Sequence, residues 1–246
     1  MFSIIEGQKI VTTWANRPDV ATLSPYIDRV IFTDVGVGGS EWYSDGTRWR
    51  AVGGQVVLKE YKSTDTPPLN IALSAAAFIN LDSIQIPLNL VQIGDAIEVN
   101  ATIDIAGTTV VNTQLSLAYN NTEFTRGASV SASKIVAFGS PIATNAIRKS
   151  NPIMSVVFGY YLDNTGTVTV KTIGSTYSTQ TSASQNAGGG LFYYPITATN
   201  GGTTTNPLAV APSSGFYLGV NAFIVAGGSA VVATASKLTI TLKTCG

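Results

Sequence analysis

Apolar and polar positions alternate with a period of two along much of this chain. The clearest run is Ile97, Val99, Ala101, Ile103 and Ile105, interleaved with Glu98, Asn100, Thr102 and Asp104. This pattern predicts a strand with one buried and one wet face. Ala106-Gly107 is expected to turn it back into Thr109–Val111 and Leu115–Tyr119, forming a long-armed hairpin. Val156, Phe158, Tyr160 and Leu162 alternate likewise, and Asn164-Thr165-Gly166 turns that strand into Val168–Thr172. Further strands are predicted at Ile10–Trp14, Arg29–Thr33, Gln55–Tyr61, Ile84–Pro87, Leu191–Pro195, Gly215–Ala226 and Leu238–Lys243. Their enrichment in Val, Ile, Thr and Tyr favours strand over helix. Leu73–Phe78 and Pro141–Arg148 are the only places where a helical turn or two is expected. About eight strands at this spacing point to an all-β jelly-roll-like sandwich over residues 69–246, by analogy with folds of similar strand count.

The strongest local signal lies earlier, in Ser40–Arg50. Asp45-Gly46 suits a two-residue type I′ turn, because both residues tolerate positive φ. That turn would set Ser44 opposite Thr47, Tyr43 opposite Arg48, Trp42 opposite Trp49 and Glu41 opposite Arg50. Both tryptophans then share one face, while a cation–π pair and an ion pair form on the other. Such a hairpin serves either as its own stabilising core or as a docking surface. The preceding Gly36-Val37-Gly38-Gly39 reads as a corner. It lacks the spacing of a phosphate loop and leads into a hairpin rather than a helix. The extended, proline-punctuated Ala15–Tyr26 suits a segment lying along a neighbouring subunit.

The continuous stretch Thr33-Asp34-Val35-Gly36-Val37-Gly38-Gly39-Ser40-Glu41-Trp42-Tyr43-Ser44-Asp45-Gly46-Thr47-Arg48-Trp49-Arg50 resembles a small β unit of tail-fibre and other virion proteins of tailed bacteriophages. The resemblance covers about the first quarter of the chain. It implies a part of the virion, without saying which.

Charge refines the organisation. Residues 1–62 carry seven acidic and seven basic side chains, and the remaining 184 carry seven of each. The step falls at Ser63-Thr64-Asp65-Thr66-Pro67-Pro68, which reads as a linker. The expected layout is therefore a small, mainly antiparallel N-terminal sheet over 1–62, a linker at 63–68 and a sandwich over 69–246. Net charge is zero, so no basic stripe points to nucleic acid. Only 11% of residues are charged, well below the usual ~25%. A surface so short of charge predicts burial in an oligomer, and a homotrimer is the expected form. No apolar run reaches the ~18–20 residues of a membrane-spanning helix, so no membrane insertion is expected. The N-terminus lacks the basic and apolar regions of a secretory signal, which fits a virion protein made in the host cytoplasm.

Candidate chemistry is sparse. The chain has no histidine, and its one cysteine, Cys245, lies next to the last residue. These absences remove Ser-His-Asp and Cys-His arrangements and cysteine-based metal sites. No cofactor or metal is expected. Paired carboxylates could still run glycoside hydrolysis, making a polysaccharide depolymerase the enzymatic alternative. Glu98 and Asp104 lie six residues apart on one strand face, about 20 Å, too far for a glycosidase pair. Asp95 and Asp163 would then have to meet carboxylates from other strands or subunits, and a non-enzymatic role is expected.

Between Lys171 and Lys237 lie 65 residues without Asp, Glu, Lys or Arg. Loops around buried strands, a subunit interface or a surface for neutral sugars would each account for them. The resulting expectation is a short tail fibre or receptor-binding protein, with a head fibre or capsid decoration protein as alternative. Its partners would be its own copies, other virion proteins and a host surface glycan. Trp14, Trp42, Arg48 and Trp49 are the candidate docking residues, and Tyr193 and Tyr194 the candidate receptor contacts.

Overall fold

A computed structural model describes residues 8–23, 27–62, 64, 70–73, 77–107, 111–132, 135–138, 142–144, 150–162, 168–180, 190–195, 197–198, 215–226 and 231–244. The regular secondary structure is strand, apart from short 3-10 turns such as Trp14–Asn16 and Val20–Thr22. Among these residues no helix is long and apolar enough to cross a membrane.

Four strands form the N-terminal sheet in chain order: β1 (Gln8–Thr12), β2 (Ile27–Phe32), β3 (Ser40–Ser44) and β4 (Trp49–Ala51). β1 and β2 run parallel, and the other two pairings are antiparallel. The predicted first strand stops at Thr12, so Trp14 sits in a 3-10 turn. The β3–β4 register differs from the two-residue turn: Ser44 pairs with Trp49, Tyr43 with Arg50 and Trp42 with Ala51. The Asp45 side chain is the reason. Its Oδ1 accepts from the Thr47 and Arg48 amides, at 2.9 Å each, and from Thr47 Oγ1 at 2.7 Å. This closes a four-residue loop, bolted by Asp45 N–H to the Arg48 carbonyl at 3.1 Å. A slip of two residues preserves facing, so Trp42 and Trp49 still point the same way. The charged partners do change. Arg29, not Arg48, lies over Tyr43 at 5.7 Å, and Lys9, not Arg50, pairs with Glu41 at 3.1 Å.

The rest is a two-sheet sandwich. Its strands are β5 (Gln55–Lys62), β6 (Asn70–Leu73), β7 (Phe78–Ile86), β8 (Ala96–Gly107), β9 (Val111–Asn120), β10 (Ser129–Val130), β11 (Ile135–Phe138), β12 (Ile142–Thr144), β13 (Ser150–Leu162), β14 (Val168–Gln180), β15 (Gly190–Pro195), β16 (Thr197–Ala198), β17 (Phe216–Ala226) and β18 (Val231–Lys243). One sheet runs β15-β14-β13-β8-β18-β5, with β6 also on β18; the other runs β10-β7-β17-β9-β11-β16, with β12 also on β9. With β10, β14, β15 and β16, which lie toward the sheet margins, set aside, eight strand positions follow in chain order, with β5 and β6 sharing the first and β11 and β12 sharing the fifth. The sheets read 1-8-3-6 and 2-7-4-5, the interleaving of two Greek keys that defines a jelly roll.

Three expectations change. Gln55–Lys62 belongs to the sandwich, not the N-terminal sheet, because β5 pairs with β18 from Lys62–Lys237 to Gln55–Lys243. β6 pairs with the preceding part of β18, so the stretch read as a linker between modules is flanked on both sides by strands of one sheet; its residues other than Thr64 lie outside the described set. β8 and β9 are not a hairpin but sit in opposite sheets, β8 between β13 and β18 and β9 beside β17. That placement lets their apolar sides meet across the core. The predicted helical stretches contain strand ends at Leu73 and Phe78 and the short β12. The β13–β14 hairpin forms as expected, from Leu162–Val168 to Ser150–Gln180.

Ile97, Val99, Ala101 and Ile103 are buried, opposite Leu81, Leu115, Leu117, Leu218 and Val220. The same apolar cluster continues into the N-terminal sheet through Val56, Leu90, Val91 and Val35 to Trp14, Phe32, Trp42 and Trp49. The outer face of the β7–β17–β9 sheet carries a second, smaller cluster, in which Phe124, Val130 and Ile135 cover Ala118. Gly219 is required there: a Cβ would stand 2.9 Å from Asn80 Oδ1 and 3.0 Å from the Phe124 ring.

Candidate functional site at the seam

The tryptophans meet around Phe32. Its ring lies edge-on to Trp14 at 4.9 Å, to Trp42 at 6.0 Å and to Trp49 at 5.6 Å, and Trp14 tilts against Trp42 at 5.3 Å. Trp14, Trp42 and Trp49 are 3%, 0% and 4% exposed. Each indole N–H is bonded within the chain: Trp14 to the Leu88 carbonyl at 2.7 Å, Trp42 to Ser40 Oγ at 2.7 Å and Trp49 to the Pro18 carbonyl at 3.2 Å. The three indoles are therefore the core of the N-terminal sheet, and no outward docking face is made of them.

Arg48, the fourth candidate, reaches the same seam. The loop after β7, Pro87–Asp95, folds over the N-terminal sheet and holds itself by reciprocal bonds. Asp95 N–H donates to the Gln92 carbonyl at 2.9 Å, and Gln92 N–H donates to Asp95 Oδ2 at 3.0 Å. Arg48 Nη1 donates to the Ile93 carbonyl at 2.9 Å and lies 3.4 Å from Asp95 Oδ1. Asp95 is buried, so this ion pair keeps a desolvated carboxylate compensated.

Between the 3-10 turns, the β3–β4 loop and Pro87–Asp95 lies an open cleft of about 1050 Å³. Arg17, Arg48, Arg50, Asp19 and Gln92 line it. Arg17 lies over the Trp14 ring at 4.7 Å and donates from Nη1 to the Trp14 carbonyl at 2.8 Å; burial lowers its pKa. Arg50 Nε is paired with Asp45, while Arg50 Nη1 is closed to solvent without an acceptor. A buried polar group left unpaired costs roughly 1–3 kcal/mol. Burial tends to raise the Asp45 pKa. The hydrogen bonds from Thr47, Arg48 and Arg50 outweigh that and hold it well below the usual carboxylate range. Asn89, on the cleft rim, has φ +62° and is the one non-glycine residue with positive φ among those described.

Of the carboxylates considered for hydrolysis, Asp95 is bound to Arg48. Glu98 is paired with Lys243, whose hydrogen bond, followed by one from Asn100, lowers its pKa. The Asp104 side chain and Asp163 lie outside the described set. Tyr193 and Tyr194 fall on β15, the outermost strand of its sheet, opposite Tyr177 and Thr176. Their side chains also lie outside the described set. The cleft escaped the sequence reading because its arginines come from separate segments, which only the Pro87–Asp95 loop encloses.

No protein-family model matches this chain. No curated protein matches it either. Among solved structures it is similar to one described as the CBM2 module of Lactobacillus casei BL23 phage J-1 evolved Dit. That likeness has 9% identity and a TM-score of 0.28, and covers 78% of this chain and 98% of the other.

Proposed function

We propose that this chain is a structural protein of a tailed-bacteriophage virion, a short tail fibre or receptor-binding protein that presents its jelly roll outward. The observation that carries this reading is the fold of residues 33–50, the segment that resembles phage virion proteins. It makes the glycine corner and the hairpin that seat the N-terminal sheet on the sandwich. Val37 N–H donates to the Val57 carbonyl of β5 at 2.8 Å, and Arg48 crosses to Asp95. The segment thus has an architectural role, as an anchoring module requires.

With the indoles buried, the anchoring surface moves to the opposite face of the N-terminal sheet. There Lys9 pairs with Glu41, Arg29 covers Tyr43, and Val11 is exposed. The scarcity of charge supports a homotrimer, in which inter-subunit burial covers neutral surface.

Immunogold labelling of the intact phage with antibody to this chain tests the reading. Gold at the tail is the expected result. Gold over the head makes the chain a head fibre or decoration protein, and absence from the particle rejects a virion role. Light scattering tests the trimer: a monomer at micromolar concentration overturns it.

A further inference from the structure

We infer that the seam cleft is a binding site for a small hydroxylated ligand with one anionic group, a sugar acid or a sugar phosphate. The inference rests on the chemistry of the cleft and stands whether or not the chain is a virion protein.

Three guanidiniums face one cleft in a chain with only 14 basic residues. A guanidinium offers five N–H donors in a planar fork matched to carboxylate and phosphate oxygens. Only part of that capacity is used here. The Trp14 carbonyl takes one donor of Arg17, and Asp45 takes Nε of Arg50; Nη1 of that side chain is closed to solvent, which leaves Nη2 as the Arg50 donor for a ligand. Arg17 and Arg50 are thus both held by the fold and under-used as donors. Pre-positioned donors bind without first losing side-chain freedom.

The surrounding charges limit the ligand. Asp45 and Asp95 are bonded to Arg50 and Arg48, and Asp19 stands on the same wall. The local field is nearly balanced, so a polyanion gains little there. A single anionic group gains from directed hydrogen bonds instead. Thr47, Asn89 and Gln92 add a hydroxyl and two amides to the lining, the complement of a sugar's hydroxyl groups. The volume, about 1050 Å³, is at the upper end of small-molecule sites and admits a mono- or disaccharide.

The test titrates the full chain with glucuronate, glucose 1-phosphate or glucose, following the indole N–H resonance of Trp49, which lines the cleft. A shift of that resonance with either anion at millimolar concentration, and none with glucose, is the expected result; which anion acts separates the carboxylate from the phosphate source. Arg17→Gln and Arg50→Gln should each weaken binding about tenfold, the loss of one charge-assisted bond. Should Arg50→Gln fail to fold, as a thermal melt would show, Arg17→Gln and the Trp49 signal decide. No shift with either anion, an equal response to glucose, or unchanged affinity in the folded variants overturns the inference.

Discussion

The indole N–H of Trp14 donates to the backbone carbonyl of Leu88 at 2.7 Å, across 74 residues of chain. The bond joins the first turn of the N-terminal sheet to the loop leaving β7, and the indole beneath it is 3% exposed. One side chain therefore supplies both a core ring and a strut between the two parts.

Trp14→Phe should keep the contact with Phe32 and lose the strut. Removing the donor from a part-buried carbonyl, together with the smaller ring, should destabilise the chain by about 1–3 kcal/mol. Trp14→Ala should cost about 3–5 kcal/mol. Urea unfolding followed by circular dichroism checks both. Equal stability of wild type and Trp14→Phe would show that the bond contributes nothing.

Gly36 and Gly38 separate strain from crowding. Both have positive φ, +82° and +79°. A Cβ on Gly36 would lie 2.5 Å from Val56 Cγ1 and 3.1 Å from the Val57 carbonyl, whereas a Cβ on Gly38 meets nothing within 4 Å. Gly38→Ala should cost about 1 kcal/mol, the backbone penalty alone. Gly36→Ala should cost more, because β5 must also shift. Melting temperatures of the two variants give the ranking.

The Asp45 carboxylate links stability to pH. Its folded pKa is depressed by hydrogen bonds from Thr47, Arg48 and Arg50, which outweigh the opposing effect of burial. The stability it contributes is fully present above its ordinary unfolded value, near 4, and is lost as pH falls toward the folded value. Glu98, depressed by Lys243 and Asn100, acts in the same direction. Asp45→Asn should lower stability at neutral pH by about 1 kcal/mol and flatten the acid limb of the stability profile. Denaturation from neutral pH to pH 3 measures both effects.

A fragment spanning 69–246 should not fold as the intact sandwich does. It lacks β5, which pairs with β18 from Gln55 to Lys62. It also exposes Ile240 and Leu242, which are buried in the full chain. Fewer dispersed amide resonances than the matching region of the whole chain would confirm this. A native-like spectrum would restore the boundary at 63–68.

Strand positions were legible where one face is buried, as in Ile97–Ile103, because a period of two records burial directly. The hairpin register was not. Asp45 satisfies three donors with its own side chain, and that competition is absent from turn preferences based on the Asp-Gly pair. The charge step at Lys62 was real but measured something else. β5 lies at the end of its sheet order, and Lys59, Glu60 and Lys62 fit the charged character of edge strands, which discourages pairing with other chains. The cleft had no sequence signature, since Arg17, the Arg48–Arg50 segment and the Pro87–Asp95 loop lie far apart in the chain.

The position of β18 also constrains how the protein is made. It lies between β8 on one side and β5 and β6 on the other, so β5 and β6 have no partner in the sheet until β18 arrives. On the ribosome, the first strands of the sandwich emerge long before residues 231–243 can join them. Their apolar faces must wait until β18 is made. Closure of the sandwich therefore waits for β18, and nascent chains that stall before it should be bound by chaperones or aggregate.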